Sequence, residues 1–146
     1  MSVTEREVEG SAQKRVARVN WAAFDYYGAL RRVNLYFDQN PSIPLSLSDA
    51  ASVAGLSPTY FARFFKQRTK ITFKAWLDLK RVERAERLLL HSDELVRAIG
   101  EECGFPDPTT FARTYRRVRG ISPRSSRRML EPHDSIDQRQ ESPKES

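Results

Sequence analysis

Two segments of the chain carry arginine, lysine and threonine side chains in a similar order. Residues 61–74 read FARFFKQRTKITFK and residues 111–124 read FARTYRRVRGISPR, so the two segments are offset by 50 residues. Arg63 and Arg113 occupy equivalent positions in this repeat. An arginine can donate to O6 and N7 of one guanine, which is the commonest specific contact between proteins and DNA. The repeat indicates one supersecondary unit used twice, with side chains suited to nucleic acid.

Each copy of the repeat predicts a short helix, a glycine turn and a longer helix. In the first copy, Ser46 and Asp49 fit a capping box before an alanine-rich helix. Gly55 is placed to take the left-handed conformation that ends this helix. A Ser-Pro pair in the first copy and an Asp-Pro pair in the second supply an N-cap followed by proline at the first helical position. The pattern is that of two helix-turn-helix units, predicted at residues 46–70 and 94–120.

A long helix is predicted between the two units, at residues 72–91, which contain neither proline nor glycine. It carries an apolar stripe made up of Ala75, Leu79, Val82 and Leu89. Glu83 and Arg87 are four residues apart in the order that favours an ion pair. Nineteen helical residues would span roughly 28 Å at about 1.5 Å per residue.

The segments outside the repeat differ in their content of hydrophobic residues. Aromatic residues begin at Trp21. Beyond it Tyr26, Leu30, Val33 and Phe37 fall at i, i+4, i+7 and i+11, which predicts one face of a helix that ends before Pro41. The first twenty residues are polar, and we expect a flexible segment with no core residues. Residues 131–146 bury too little apolar surface to offset their chain entropy, which predicts a disordered tail. We therefore predict an all-α fold, with one domain over residues 21–130.

Composition and charge narrow the class of protein. The 146 residues suit one domain, and no apolar run approaches the roughly 20 residues of a membrane span. One cysteine excludes a disulfide framework, and two histidines make a structural zinc site improbable. Residues 21–130 hold 19 basic and 11 acidic side chains, a net charge of +8. A compact basic segment is the electrostatic footprint of a nucleic-acid binder, although a basic surface also serves solubility or a membrane face.

Residues 30–130 resemble the DNA-binding domain of the AraC/XylS family of bacterial transcription regulators. The resemblance rests on three stretches: LSDAASVAGLSPTYFARFFKQRT, FKAWLDLKRVERAERLLL and IGEECGFPDPTTFARTYRRVRGISP. It implies about seven helices, with two helix-turn-helix units joined by a long linker helix. It also implies control of transcription through binding to promoter DNA.

The resemblance implies particular DNA contacts. The family pattern places base contacts at Thr59, Ala62, Arg63, Thr109, Thr110 and Arg113. The longer helix of each unit corresponds to the recognition helix, and basic residues on or after these two helices are expected at phosphates. They are Lys66, Lys70, Lys74, Arg116, Arg117, Arg119 and Arg124. Lys70 stands where the second copy has Gly120, which predicts a less relaxed backbone at Lys70.

Each functional interpretation has a plainer alternative. Arg63 and Arg113 are alternatively solvated surface charges, and the two threonines that follow the prolines are alternatively part of the helix start. An aromatic group near the N-terminus suits either core packing, which the spacing favours, or stacking on single-stranded nucleic acid. It consists of Trp21, Tyr26 and Tyr27. Cys103 is expected to be a buried structural thiol, because no partner thiol or histidine stands near it in the sequence.

The function that follows is sequence-specific binding to double-stranded promoter DNA in the bacterial cytoplasm, at the nucleoid. We expect an activator that works through RNA polymerase and binds DNA as a monomer, without a cofactor and without a membrane partner. Enzyme activity is not expected, because no catalytic set appears at motif spacing. One alternative is a truncated regulator that acts mainly through protein partners and binds DNA weakly. A further alternative is a sensor with a small-molecule pocket near residues 21–37.

Overall fold

The computed structural model describes residues 18–130, which form eight α-helices and no β-strand. The helices are α1 Ala23–Tyr26, α2 Gly28–Gln39, α3 Leu47–Ala54, α4 Pro58–Thr69, α5 Phe73–His91, α6 Val96–Glu102, α7 Pro108–Arg119 and α8 Pro123–Leu130. The all-α fold class is confirmed. The expected disordered tail, and all but the last three residues of the expected flexible N-terminal segment, lie outside the described residues.

The first helix-turn-helix unit, α3 and α4, begins and ends at the predicted signals. The Ser46 Oγ accepts from the backbone N–H of Asp49 at 3.0 Å, and Asp49 accepts in return from the N–H of Ser46 at 3.2 Å. Gly55 has φ of 76°, which ends α3. The Ser57 Oγ then accepts from the N–H of Tyr60 at 3.3 Å and starts α4. The capping box, the left-handed glycine and the Ser-Pro start are therefore confirmed.

The second unit, α6 and α7, repeats this design with small differences. Gly104 lies in the turn with φ of 88°. Asp107 caps α7, because its carboxylate accepts from the backbone N–H of Thr110 at 2.7 Å. α7 ends at Gly120, with φ of 83°, and α4 ends at Lys70, with φ of 68°. The left-handed conformation disfavours a side chain, so the expectation of a less relaxed backbone at Lys70 is confirmed.

The linker helix α5 belongs to two hydrophobic cores. Its first half places the fully buried Trp76 among aromatic rings, with ring centroids 5.5 Å from both Phe24 and Phe65. Its second half contributes Val82 and Leu89 to a separate core. That second core also includes Ala85, Ile99, Cys103, Phe105, Phe111 and Tyr115. One helix therefore fixes both units relative to each other.

Polar contacts reinforce the link between the two halves. The hydroxyl of Ser42, in the connector after α2, donates to the carbonyl of Glu102 at 2.7 Å. Lys80 on α5 pairs with Asp38 on α2 at 3.1 Å. Arg127 on α8 donates to three backbone carbonyls at the end of α5 and beyond it, at 2.6–3.2 Å. The C-terminal helix is thereby tied to the linker helix.

Two predictions about the N-terminal part are wrong. The single helix predicted from the spacing of Tyr26 and Leu30 is broken at Tyr27, whose ψ of 121° is extended. The core packing favoured for Trp21 and Tyr26 fails with it, since these residues are 43% and 78% exposed, whereas Phe24 is buried. The expectation of no core residue before Trp21 also fails, because Val19 is buried in the first core.

Asn20 shows why the chain before α1 is held in place. Its backbone N–H donates to the carbonyl of Thr69 at 2.8 Å, and its side chain donates to the carbonyl of Arg68 at 3.2 Å. These bonds satisfy carbonyls at the C-terminal end of α4.

The predicted Glu83–Arg87 ion pair on α5 is also wrong, since no ion pair joins these two residues in the structure.

Gly100 provides a test of the packing between α6 and α7. A Cβ at Gly100 would lie 2.5 Å from a ring carbon of Phe111, which is buried. We expect Gly100→Ala to lower the free energy of unfolding by about 1–3 kcal/mol, because overpacking outweighs the helix propensity of alanine. Gly28→Ala is the control, since its Cβ would meet the end of the Arg32 side chain at 3.5 Å. Urea denaturation measures both, and equal stability of the two variants would contradict the packing described.

Candidate nucleic-acid interface

The two longer helices of the repeat present matching faces to solvent. On α4, Thr59, Arg63 and Lys66 are exposed at intervals of four and three residues. On α7, Thr109, Arg113 and Arg116 are exposed at the same intervals. Residues at these spacings lie on one face of a helix. Each helix therefore offers one threonine and two cations along a single exposed face.

The opposite faces explain why these residues point outward. α4 buries Phe61, Phe65 and Thr69, and α7 buries Phe111, Thr114 and Tyr115. The hydroxyl of Tyr115 shares a 2.5 Å hydrogen bond with that of Ser126 on α8, so its buried polar atom is satisfied. The rotation of each recognition helix about its own axis is thus fixed by its buried aromatic residues.

Two of the predicted base-contact residues are placed differently from the other four. Ala62 is half-buried and lies at the edge of the face that packs on the core. Thr110 is half-buried as well, and its hydroxyl donates to the Asp107 carboxylate at 3.0 Å. The bonds from the backbone N–H and hydroxyl of Thr110 lower the pKa of Asp107. The Thr110 hydroxyl is therefore engaged in capping α7.

The cations predicted at phosphates fall into two groups. Four are exposed and form no ion pair with any residue between 18 and 130: Lys66, Lys70, Arg116 and Arg124. Lys74 joins them because its side chain is 84% exposed, with only a long contact of 3.5 Å to Asp78. These five side chains are free to reach an anionic surface.

Arg117 and Arg119 make the second group, because carboxylates of the linker helix bind both. Arg117 Nη2 lies 2.7 Å from Asp78 Oδ2, and the Asp78 side chain is 9% exposed. Arg119 donates two hydrogen bonds to Glu86, at 2.9 and 3.4 Å. Both pairs connect α7 to α5, so these arginines hold the second recognition helix on the linker helix. Their predicted contact with phosphate stays a prediction.

Tyr60 belongs to the exposed surface of α4, although it is not among the residues that the family pattern places at bases or phosphates. Its side chain is 51% exposed, and it follows Thr59 in the first turn of the helix. The repeat aligns Tyr60 with Thr110, which is among the predicted base-contact residues. The alignment of the two copies therefore points to Tyr60 as well. An aromatic residue beside Phe61 suggests core packing, which is why its exposure was not anticipated.

Cys103 is fully buried in the second core, as expected. Burial raises the pKa of its thiol to about 11.

Over residues 18–130, no group of three or more histidine, cysteine, aspartate or glutamate side chains is placed to hold a metal ion. Nor does that part of the chain contain a helix with the length and apolar character to cross a membrane.

Comparison with known proteins identifies the domain. A family model described as a helix-turn-helix domain matches residues 50–129. The regulatory protein PocR of Salmonella typhimurium is 33% identical over 101 residues, which cover 69% of this chain and 33% of PocR. The transcriptional activator NphR of a Rhodococcus species is 37% identical over 95 residues, 64% of this chain and 28% of NphR. This chain spans about a third of the length of the curated relatives it matches.

A solved structure supports the same assignment. The DNA-binding domain of AdpA, described as a global transcriptional factor, has been crystallised in complex with a target DNA. It is 29% identical to this chain with a TM-score of 0.67, and the match covers 70% of this chain and 93% of that one. The fold described here is therefore one that binds DNA in a related protein.

The division of the arginines on α7 predicts unequal effects on stability. We expect Arg117→Ala to lower the free energy of unfolding by about 1–3 kcal/mol, because Asp78 keeps only the distant Lys74 as a partner. The partial exposure of Arg117 keeps the effect below that of a fully buried pair. Arg116→Ala is the matched control and should change the stability by less than about 0.5 kcal/mol. Equal effects in urea denaturation would contradict the structural role of Arg117.

Proposed function

The chain belongs to the AraC/XylS family of helix-turn-helix proteins, and we propose that it binds double-stranded DNA sequence-specifically as a monomer. In this proposal, α4 and α7 enter successive major grooves. The observation that carries it is the matched exposed face of the two helices, which one linker helix holds at a fixed separation.

The residue roles follow from the chemistry of each side chain. Arg63 and Arg113 each bind a guanine through O6 and N7. Thr59 and Thr109 contact neighbouring bases or phosphates through the hydroxyl and methyl groups. Ala62 and Thr110 have smaller roles, because both are half-buried. The phosphate contacts come from the exposed cations Lys66, Lys70, Lys74, Arg116 and Arg124.

The linker helix sets the distance between the two reading elements. Its 19 residues span roughly 28 Å at about 1.5 Å per residue. Successive major grooves on one side of B-DNA are about 34 Å apart. A rigid linker shorter than this repeat favours bent DNA, at a cost on the order of 1–6 kcal/mol.

At the level of the cell, we propose that the bound protein activates transcription through RNA polymerase at promoters on the bacterial chromosome, in the cytoplasm. Two findings support this proposal: the family to which the chain belongs, and the similarity to NphR, which is named as a transcriptional activator. No observation favours the alternative of weak DNA binding with a mainly protein-binding role. The family also contains DNA-binding regulators rather than enzymes, which agrees with the lack of a catalytic motif in the sequence.

The first prediction concerns ionic strength. Five phosphate contacts predict a slope of about −4.5 in a plot of log affinity against log salt, or roughly a 500-fold loss between 50 and 200 mM salt. Lys66→Ala should make the slope shallower by about one. Fluorescence anisotropy with a labelled duplex measures both. Affinity that does not vary with salt would rule out the phosphate assignments.

The second prediction separates base contacts from phosphate contacts. Arg63→Ala and Arg113→Ala should each cost about 1–3 kcal/mol of binding and relax the preference at particular base pairs. Lys74→Ala should weaken specific and nonspecific duplexes alike. Selection from a random duplex pool, repeated with each variant, measures the preferences. The base-contact assignment fails if both arginine variants keep the full preferences of the parent protein.

The third prediction concerns stoichiometry. The two reading faces differ at Lys66 against Arg116 and at Tyr60 against Thr110, so one molecule should recognise an asymmetric site of about two helical turns. Analytical ultracentrifugation of the complex should give one protein per duplex. Two proteins on a palindromic duplex would show that one molecule does not place both α4 and α7 on the same asymmetric site.

A further inference from the structure

Tyr60 occupies a place on α4 from which a large side chain can reach a base edge. It lies in the first turn, and the N-terminal residues of a recognition helix are those that contact base edges. Thr59 precedes it, and Arg63 follows one helical turn later. The side chain is 51% exposed, although it is aromatic.

The Tyr60 ring is held in position by an aromatic support. It stacks on the ring of Phe64, with centroids 6.0 Å apart and planes inclined by 22°. Phe64 in turn meets the edge of Tyr27 at 5.5 Å. The Arg68 guanidinium lies 5.6 Å from the Phe64 centroid and 5.2 Å from that of Tyr27. A side chain fixed in this way loses little conformational entropy when it binds a partner.

The two units differ in the side chain that is available for a base contact at this position. The equivalent Thr110 is half-buried and donates its hydroxyl to the Asp107 cap. Tyr60 has no such engagement, because Ser57 caps α4 through the backbone N–H of Tyr60 and leaves its side chain outside the cap. An exposed ring on a reading helix offers an apolar surface, and the apolar group in the major groove is the C5-methyl of thymine.

We propose that Tyr60 reads a thymine through its C5-methyl group, a contact that rests on the proposed function of the chain. Tyr60 and Arg63 are separated by about 4.5 Å along the helix axis, at about 1.5 Å per residue. Side chains this close together on a helix in the major groove meet neighbouring base pairs, which are about 3.4 Å apart. The thymine read by Tyr60 therefore lies one or two base pairs from the guanine bound by Arg63.

The test removes the methyl group and the ring separately. A duplex selected by the wild-type protein is resynthesised with deoxyuridine in place of each thymidine in turn. For the wild-type protein, one substitution near the Arg63 guanine should weaken binding roughly fourfold, the effect of one buried methylene-sized group. Tyr60→Ala should bind the parent duplex more weakly and show no further loss on that uracil duplex. Tyr60→Phe should keep the sensitivity to the methyl group.

Tyr26→Ala is the matched control, because Tyr26 is 78% exposed and touches the same aromatic support at Tyr27, 4.8 Å away. It should keep the wild-type response to uracil, and thermal unfolding checks that every variant is folded. The proposal is overturned if Tyr60→Ala keeps the response, or if no uracil substitution near the guanine matters. A wild-type protein that enriches no sequence from the pool would instead overturn the proposed function, and this assignment with it.

Discussion

The position of both reading helices depends on α5, which is buried in two cores at once. Trp76 anchors its first half among the aromatic residues of the first unit, and Val82 and Leu89 anchor its second half in the other core. The buried carboxylate of Asp78 then binds Arg117 on α7 across the junction. A helix whose two halves are each packed into a core has little freedom to bend or rotate, so the separation of the recognition helices is a property of the folded domain rather than of the DNA.

The cations of the domain divide into those that hold the fold and those that face outward. Arg117, Arg119 and Arg127 form charge-assisted bonds to carboxylates or a carbonyl of α5. Lys66 and Arg116, on the same two recognition helices, are exposed. The number of basic side chains therefore overstates the number of cations that a partner can reach, because some of them are held in specific internal contacts.

Much of the local structure could be predicted from the sequence, because caps and turns depend on neighbouring residues. Ser46 with Asp49, Gly55 and the two proline starts all act within a few residues of their own position. The break at Tyr27 could not be predicted from the spacing, since helical spacing continues across it, and the burial of Phe24 just before it is a tertiary contact. The pairing of Arg117 with Asp78 was equally hidden, because 39 residues separate the partners in the sequence. The exposure of Tyr60 could not be predicted either, because it depends on which side of α4 the other helices cover.

The state of Cys103 makes the domain convenient for spectroscopy. It is the one cysteine of this chain, and a buried thiol with a pKa of about 11 carries almost no thiolate at neutral pH. Alkylating reagents attack the thiolate, so we expect the native protein to resist them. A cysteine introduced at an exposed position of α4 or α7 would then be labelled selectively in the unmodified background. Fluorophores or spin labels on the two helices can report the distance between them, free and on DNA, without removal of a core side chain.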